Sequence, residues 1–334
     1  MSRSSLRTLL LGFRGATLLG VFAACIPLQA EEPAVAAPFS EPARKILVKP
    51  FIDIPGLNLE LMSRTNEEKL VSWSPNYRTQ TGISLSYAGL IGVAASAKSG
   101  MSRQDETAMG KSDYTDIRVR LPWRSISVEV GYQKLKGFYA DNTQEFSPGT
   151  SGYLKRPDLS LESKYASVVF VLQPNRYSLA AALDHSERQL ASGGSFLGAA
   201  HVIDTTFDNG SEDLIPTELH PHFGSEAAVN DGRFFSATAG GGYGHMWRFG
   251  ETGYVFTQLL IGLGFQVGRS RDEQRSFETN ELAGMGKFDF GIGSNGELLL
   301  GGLLISIDQT SNFTPETELA KRNFMVQLFA GFRI

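Results

Sequence analysis

Asn323-Phe-Met-Val-Gln-Leu-Phe-Ala-Gly-Phe-Arg-Ile334 closes the sequence, and its alternation decides the fold. One parity reads Phe324, Val326, Leu328, Ala330, Phe332 and Ile334, all apolar; the other reads Asn323, Met325, Gln327, Phe329, Gly331 and Arg333. Successive side chains of a strand point to opposite faces, so this stretch predicts a strand with one apolar and one mostly polar side. The last residue belongs to the apolar set, as expected of a transmembrane barrel that closes on its final strand.

The same two-fold pattern recurs upstream from about Tyr77, at near-regular spacing. Val255, Thr257, Leu259, Ile261, Leu263, Phe265 and Val267 oppose Tyr254, Phe256, Gln258, Leu260, Gly262, Gly264 and Gln266. Leu282 to Ile292, Ile126 to Gln133 and Asp116 to Leu121 alternate likewise. Pro122-Trp-Arg-Ser125, Gln173-Pro-Asn-Arg176, Arg248-Phe-Gly-Glu-Thr-Gly253 and Gly293-Ser-Asn-Gly296 read as tight connections. Polar stretches near 98–112, 140–157, 206–232 and 309–321 read as long loops. Short turns at one end and long loops at the other predict an all-β, single antiparallel up-and-down transmembrane β-barrel of about twelve strands, within ten to fourteen. Residues 188–234 resist this scheme, because no strand placement there keeps every long loop on one side. The competing architecture is a soluble sandwich or lipocalin-like barrel with its apolar faces turned inward. Against it, the non-apolar parity is rich in Gly, Ser and Gln, which suits a confined lumen. Tyr132, Tyr177, Tyr243, Trp247 and Trp123 fall near strand ends, where an interfacial girdle is expected.

Residues 1–30 carry Arg3, Arg7 and Arg14, an apolar stretch Ala16–Ile26 and a small residue, Ala30, before Glu31-Glu32. That order predicts a secretory signal peptide cut after Ala30. Lipoprotein processing at Cys25 is the rival reading. Cys25 is the only cysteine, so its removal with the signal leaves no disulfide and no thiolate nucleophile. Loss of the three arginines takes the net charge from −4 to −7. An acidic exported chain is a poor partner for nucleic acid. Residues 31–69 are expected to form a periplasmic segment or linker, and 70–334 the barrel.

Several motifs together resemble a group of uncharacterised bacterial outer-membrane barrel proteins known as a domain of unknown function. They are Trp73-Ser-Pro-Asn-Tyr77, Gly82-Ile-Ser-Leu-Ser-Tyr87, Lys111-Ser-Asp-Tyr114, Gly131-Tyr-Gln-Lys-Leu-Lys-Gly-Phe-Tyr139, Arg176–Ala182, Glu187–Phe196 and Gly240-Gly-Gly-Tyr-Gly244. The resemblance covers most of residues 70–265 and implies an outer-membrane barrel without a reaction, cofactor or substrate. It departs at Ile334, where such barrels usually end on an aromatic residue.

Three constellations bear on chemistry. Asp184-His185-Ser186 suggests an acyl hydrolase, but adjacent strand residues face opposite ways, so histidine and serine do not meet without a bulge. On a strand, His185 shares its face with Tyr177, Leu179, Ala181 and Leu183. Glu218-Leu-His-Pro-His222 offers three metal ligands within a long loop. Gly291-Ile-Gly-Ser-Asn-Gly296 matches a dinucleotide fingerprint in letters only, and no helix follows. No catalytic residue, cofactor or metal site is therefore assigned. The informative set is the lumen-facing charges Asp116, Arg118, Arg120, Glu129, Asp184, Arg188, Lys287, Asp289 and Arg333. Their mixed signs predict a salt-bridged ladder rather than a single-sign selectivity ring.

These readings lead to an outer-membrane protein of a Gram-negative bacterium, structural or offering a narrow passage or binding site to a small solute. The alternatives are a lipid-modifying enzyme and a soluble periplasmic binding barrel. The expected partners are membrane lipid and the outer-membrane insertion machinery, engaged through the C-terminal strand.

Overall fold

The computed structural model describes residues 39–40, 44–66, 69–76, 79–87, 91–98, 103–272 and 274–334. The expected signal peptide and Cys25 lie outside the described residues. Fifteen strands occur among the described residues. They are β1 (Phe39–Ser40), β2 (Ile46–Ser63), β3 (Leu70–Ser74), β4 (Gln80–Tyr87), β5 (Ile91–Lys98), β6 (Asp113–Pro122), β7 (Ile126–Ala140) and β8 (Lys155–Val171). There follow β9 (Arg188–Gln189), β10 (Gly193–Asp208), β11 (Asp231–Phe249), β12 (Gly253–Arg271), β13 (Ser276–Asn295), β14 (Leu299–Phe313) and β15 (Thr317–Arg333).

Twelve of these close an antiparallel meander, in the order β2, β4 to β8, and β10 to β15. Closure comes from β15 on β2, with Thr317 opposite Ser63 and Arg333 opposite Leu47. The barrel therefore begins at Ile46, not at residue 70. Pro50, Pro55 and Gly56 lie inside β2, and such residues break strand propensity, which hid this wall strand from sequence reading. The wall also changes along its length. β2 pairs with β4 over Ile46–Asp53, then with β3 over Leu59–Met62, and β3 pairs with β7 at Trp73 and Ser74. At the far end β3 thus stands in for β4 to β6.

Side chains divide as the alternation requires. On β15 the parity of Phe324, Leu328, Phe332 and Ile334 is exposed, while Gln327, Phe329, Gly331 and Arg333 are buried. On β12, Ile261, Leu263, Phe265 and Val267 are all exposed, Phe265 by 73%. Charges are not what rings this belt, so the apolar parity faces outward, not inward as the soluble alternative required. The apolar parity of β12 runs from Val255 to Val267, a path of roughly 40 Å that spans a hydrocarbon core when tilted.

The interior is stacked in three layers. Short connections 123–125, 250–252 and 296–298 mark a turn end, and 209–230 the opposite, loop end. At the loop end, Leu214, Ile215, Leu219, Phe223, Ala227 and Val229 of that loop pack onto Leu59, Trp73, Leu135, Leu161, Phe207 and Phe234. The long 206–232 region is therefore an apolar cap, not a free tip. The expected loop at 309–321 shrinks to residues 314–316, since β14 and β15 take the rest. At the turn end, residues 172–192 fold inward instead of adding a wall strand. Tyr177, Leu179, Ala181 and Ala182 of this insert pack onto Val171, Leu197, Met246, Tyr254, Phe256 and Leu260. This insert is why residues 188–234 resist the one-sided loop scheme. Between cap and insert the lumen is polar.

Candidate functional site

The insert is built around a π-helical turn, Ala180–Asp184, ended by His185 in the left-handed region at φ 62°. Its run Ser178-Leu-Ala-Ala-Ala-Leu-Asp184 favours a helical turn, because alanine loses no side-chain entropy there. Ser178 starts the turn by accepting a hydrogen bond from the Ala181 N–H at 3.2 Å. Tyr177, placed in the girdle by sequence, is fully buried and lies over Gly244. A Cβ on Gly244 would stand 2.8 Å from that ring, so glycine makes the seat. The Tyr177 hydroxyl donates to Gln258 Oε1 at 3.3 Å, and Gln258 Nε2 donates to Asp289 at 2.7 Å.

Charged contacts pin the insert to the wall. Arg120 donates from Nη1 to Asp184 Oδ1 at 3.0 Å and from Nε to Glu129 Oε2 at 2.7 Å. Arg124 donates from Nε to Glu187 at 2.8 Å, and its guanidinium lies 4.9 Å from the Phe39 ring. Arg333 donates to the His185 carbonyl at 2.6 Å and to Asn295 Oδ1 at 2.5 Å. β1 adds a short antiparallel pairing to β9, Phe39 opposite Gln189 and Ser40 opposite Arg188. Residues before the barrel thus hold the outer edge of the insert.

The charges singled out from sequence fall into separate groups. Asp116, Arg118, Arg120, Glu129 and Asp184 line one cavity. There, Arg118 Nε donates to Asp116 at 3.0 Å, and Tyr114 donates to the same carboxylate at 2.6 Å. Asp289 sits apart, held by Gln258 and by Ser306 at 2.5 Å. Lys287 faces Asp308 across the β13–β14 pairing. Arg333 lies beneath the insert. Arg188 is not a lumen charge but a rim contact, donating to the Asn295 carbonyl at 3.1 Å and pairing with Glu297. Its strand is two residues long and outside the wall, so wall parity does not apply.

The hydrolase constellation does not assemble. His185 is not on a strand; its Nε2 shares a 2.6 Å hydrogen bond with the Tyr254 hydroxyl. Ser186 turns its hydroxyl to the Ala180 carbonyl at 3.4 Å. Burial, then the charges of Lys49 and Arg333, hold the His185 imidazole well below its ordinary pKa, so it is neutral. Glu218, His220 and His222 lie on a 3-10 turn, Thr217–His222. His220 Nε2 is taken by the Ile215 carbonyl at 2.9 Å. No three His, Cys, Asp or Glu side chains converge in metal-holding geometry among the described residues. Gly291–Gly296 belongs to the end of β13 and its turn.

Sequence reading missed the cavity's remaining walls. It measures ≈ 100 Å³ and is lined also by Lys49, Phe51, Asp53, Ser84, Ser96, Leu183 and Gln327. Lys49 and Asp53 belong to β2, and their spacing four apart on one strand face was the available signal.

A family described as a domain of unknown function, DUF4421, matches residues 43–333. The chain belongs to the DUF4421 family. Among solved structures, this DUF4421 chain is similar to the outer membrane protease OmpT from Escherichia coli, with 8% identity and a TM-score of 0.38, covering 89% of this chain and 98% of that one. It is also similar to the P. putida toluene transporter TodX, with 8% identity and a TM-score of 0.27, covering 87% and 90%. The translocator domain of the Neisseria meningitidis autotransporter NalP matches at 10% identity and 0.29, covering 99% and 98%. At these scores the likeness carries no argument about chemistry. Comparison with curated proteins gives no significant match.

Proposed function

We propose that this DUF4421 protein is an outer-membrane barrel of a Gram-negative bacterium, closed at rest, that admits a small polar solute when the 172–192 insert moves. The exposed apolar belt and the charge-free middle of its outward parity support a lipid setting. In this reading the turn end faces the periplasm, and β15 is the strand engaged by the insertion machinery. Arg120 carries the proposal, because one guanidinium joins wall carboxylate Glu129 to insert carboxylate Asp184. A buried ion pair adds little stability over a well-packed apolar contact, yet it fixes one docked position and fails when either charge is lost. Such a contact suits a latch better than a permanent plug.

Planar-bilayer conductance tests the reading. The wild-type chain should be silent or open rarely, whereas Asp184→Ala with Glu187→Ala should raise open events at least tenfold. A steady porin-sized conductance in the wild type would sink it. So would silence in a variant whose residues 174–190 are replaced by a tight turn.

A further inference from the structure

Two buried charged side chains line the insert cavity with hydrogen-bonding capacity left unused. Lys49, 6% exposed, has no hydrogen-bond acceptor or ion pair among the described residues; its Nζ lies 5.1 Å from the Phe329 ring centroid. Asp184, 8% exposed, spends Oδ1 on Arg120, while its Oδ2 has no partner. The neighbouring charges on this wall are engaged. Asp53 accepts from Gln327 at 2.8 Å, Asp116 holds Arg118, and Glu129 holds Arg120. The carboxylates of Asp184 and Asp53 balance the Lys49 charge only from a distance, so a site that leaves one ammonium and one carboxylate oxygen without direct hydrogen bonds is built to receive their complements. A space of ≈ 100 Å³ holds several waters, or a solute of about five to seven heavy atoms.

We infer that this cavity binds a small amphoteric solute of the amino-acid class, its carboxylate on Lys49 Nζ and its ammonium on Asp184 Oδ2. A simple anion satisfies Lys49 but meets an unpaired carboxylate oxygen. A simple cation does the reverse. Only a ligand carrying both charges uses both groups. The inference rests on the solute-chamber reading above and names what the chamber takes. Because Asp184 belongs to the insert, the carboxylate that grips the solute through Oδ2 is the one that docks the insert on Arg120 through Oδ1.

Isothermal titration of the detergent-purified full chain tests it, with glycine, β-alanine and γ-aminobutyrate as a spacing series. Acetate and methylammonium serve as single-charge probes. One member of the series should bind at least tenfold more tightly than either single-charge probe. Lys49→Met, matched in length, should lose at least tenfold for that member, a usual consequence of removing a charged hydrogen bond. Asp184→Asn should lower its affinity to that of acetate, an arm that stands if Lys49→Met does not assemble. No saturable binding by any probe overturns the inference, as does equal affinity for acetate, or binding unchanged in both variants. Absence of binding with conductance still opened by the insert variants sinks the ligand class alone. Binding without any opening sinks the gate alone.

Discussion

At the scale of single residues, His185 makes docking of the insert depend on pH. Its imidazole is enclosed by Tyr254 of β12, Phe329 of β15, and the charges of Lys49 and Arg333, with Asp184 its chain neighbour. Nε2 is bonded to the Tyr254 hydroxyl and Nδ1 has no partner. Burial lowers its pKa in the docked state, so protons bind the released insert more readily than the docked one. Docking is therefore fully supported above the ordinary value of about 6.5 and weakens as pH falls through it. Conductance should rise between pH 7 and pH 5 in the wild type and lose that dependence in His185→Gln. A flat wild-type profile would remove His185 as the sensor. The alternation placed this histidine on a strand face because Tyr177, Leu179, Ala181 and Leu183 share its parity. At its middle the opposite parity is apolar too, with Ala180 and Ala182 between Ser178 and Asp184, and a lumen strand has no use for two apolar faces. That double apolarity, with three consecutive alanines, was the local mark of a packed helical turn.

At the scale of elements, the two closures of the lumen should respond independently, since they are different structures at opposite ends. The cap rests on Trp73, fully buried, whose indole N–H donates to the Leu214 carbonyl at 3.1 Å. Trp73→Ala should destabilise the barrel by about 3–5 kcal/mol through the cavity it leaves. The check is the denaturant midpoint of the heat-modifiable form, with pH-dependent conductance at the turn end retained. Loss of that pH response together with stability would mean the two closures are coupled. β3 shows what sequence reading discerns and what it does not. Leu70-Val-Ser-Trp73 reads as strand-like, but its place between β2 and β7 depends on Trp73 pairing with Leu59 on one side and with Ala140, 67 positions away, on the other. Local periodicity fixes that a strand exists; long-range register fixes which wall it completes, and no local signal encodes that. The same limit hid the pairing of β1 with β9.

At the scale of the whole molecule, the outward face was the legible part because one rule, apolar side chains outward, recurs from wall strand to wall strand, whereas each interior position answers to its own neighbours. That rule has a depth. Leu263, 52% exposed, sits mid-belt on β12, while Arg269 and Arg271 of the same parity lie toward its loop end. An arginine at the bilayer midplane costs about 2–4 kcal/mol, and the penalty fades toward the interface. Leu263→Arg should therefore lower folding stability in liposomes by about that amount. Val267→Arg, four residues nearer the charged rim, should cost about 1 kcal/mol or less. Equal penalties at both positions would mean that the belt is not spanned by hydrocarbon. A soluble barrel would show neither, because an arginine on a water-facing parity is close to neutral. The pair of substitutions thus separates a membrane wall from any other use of the same exposed apolar surface, without requiring the chamber to conduct or to bind.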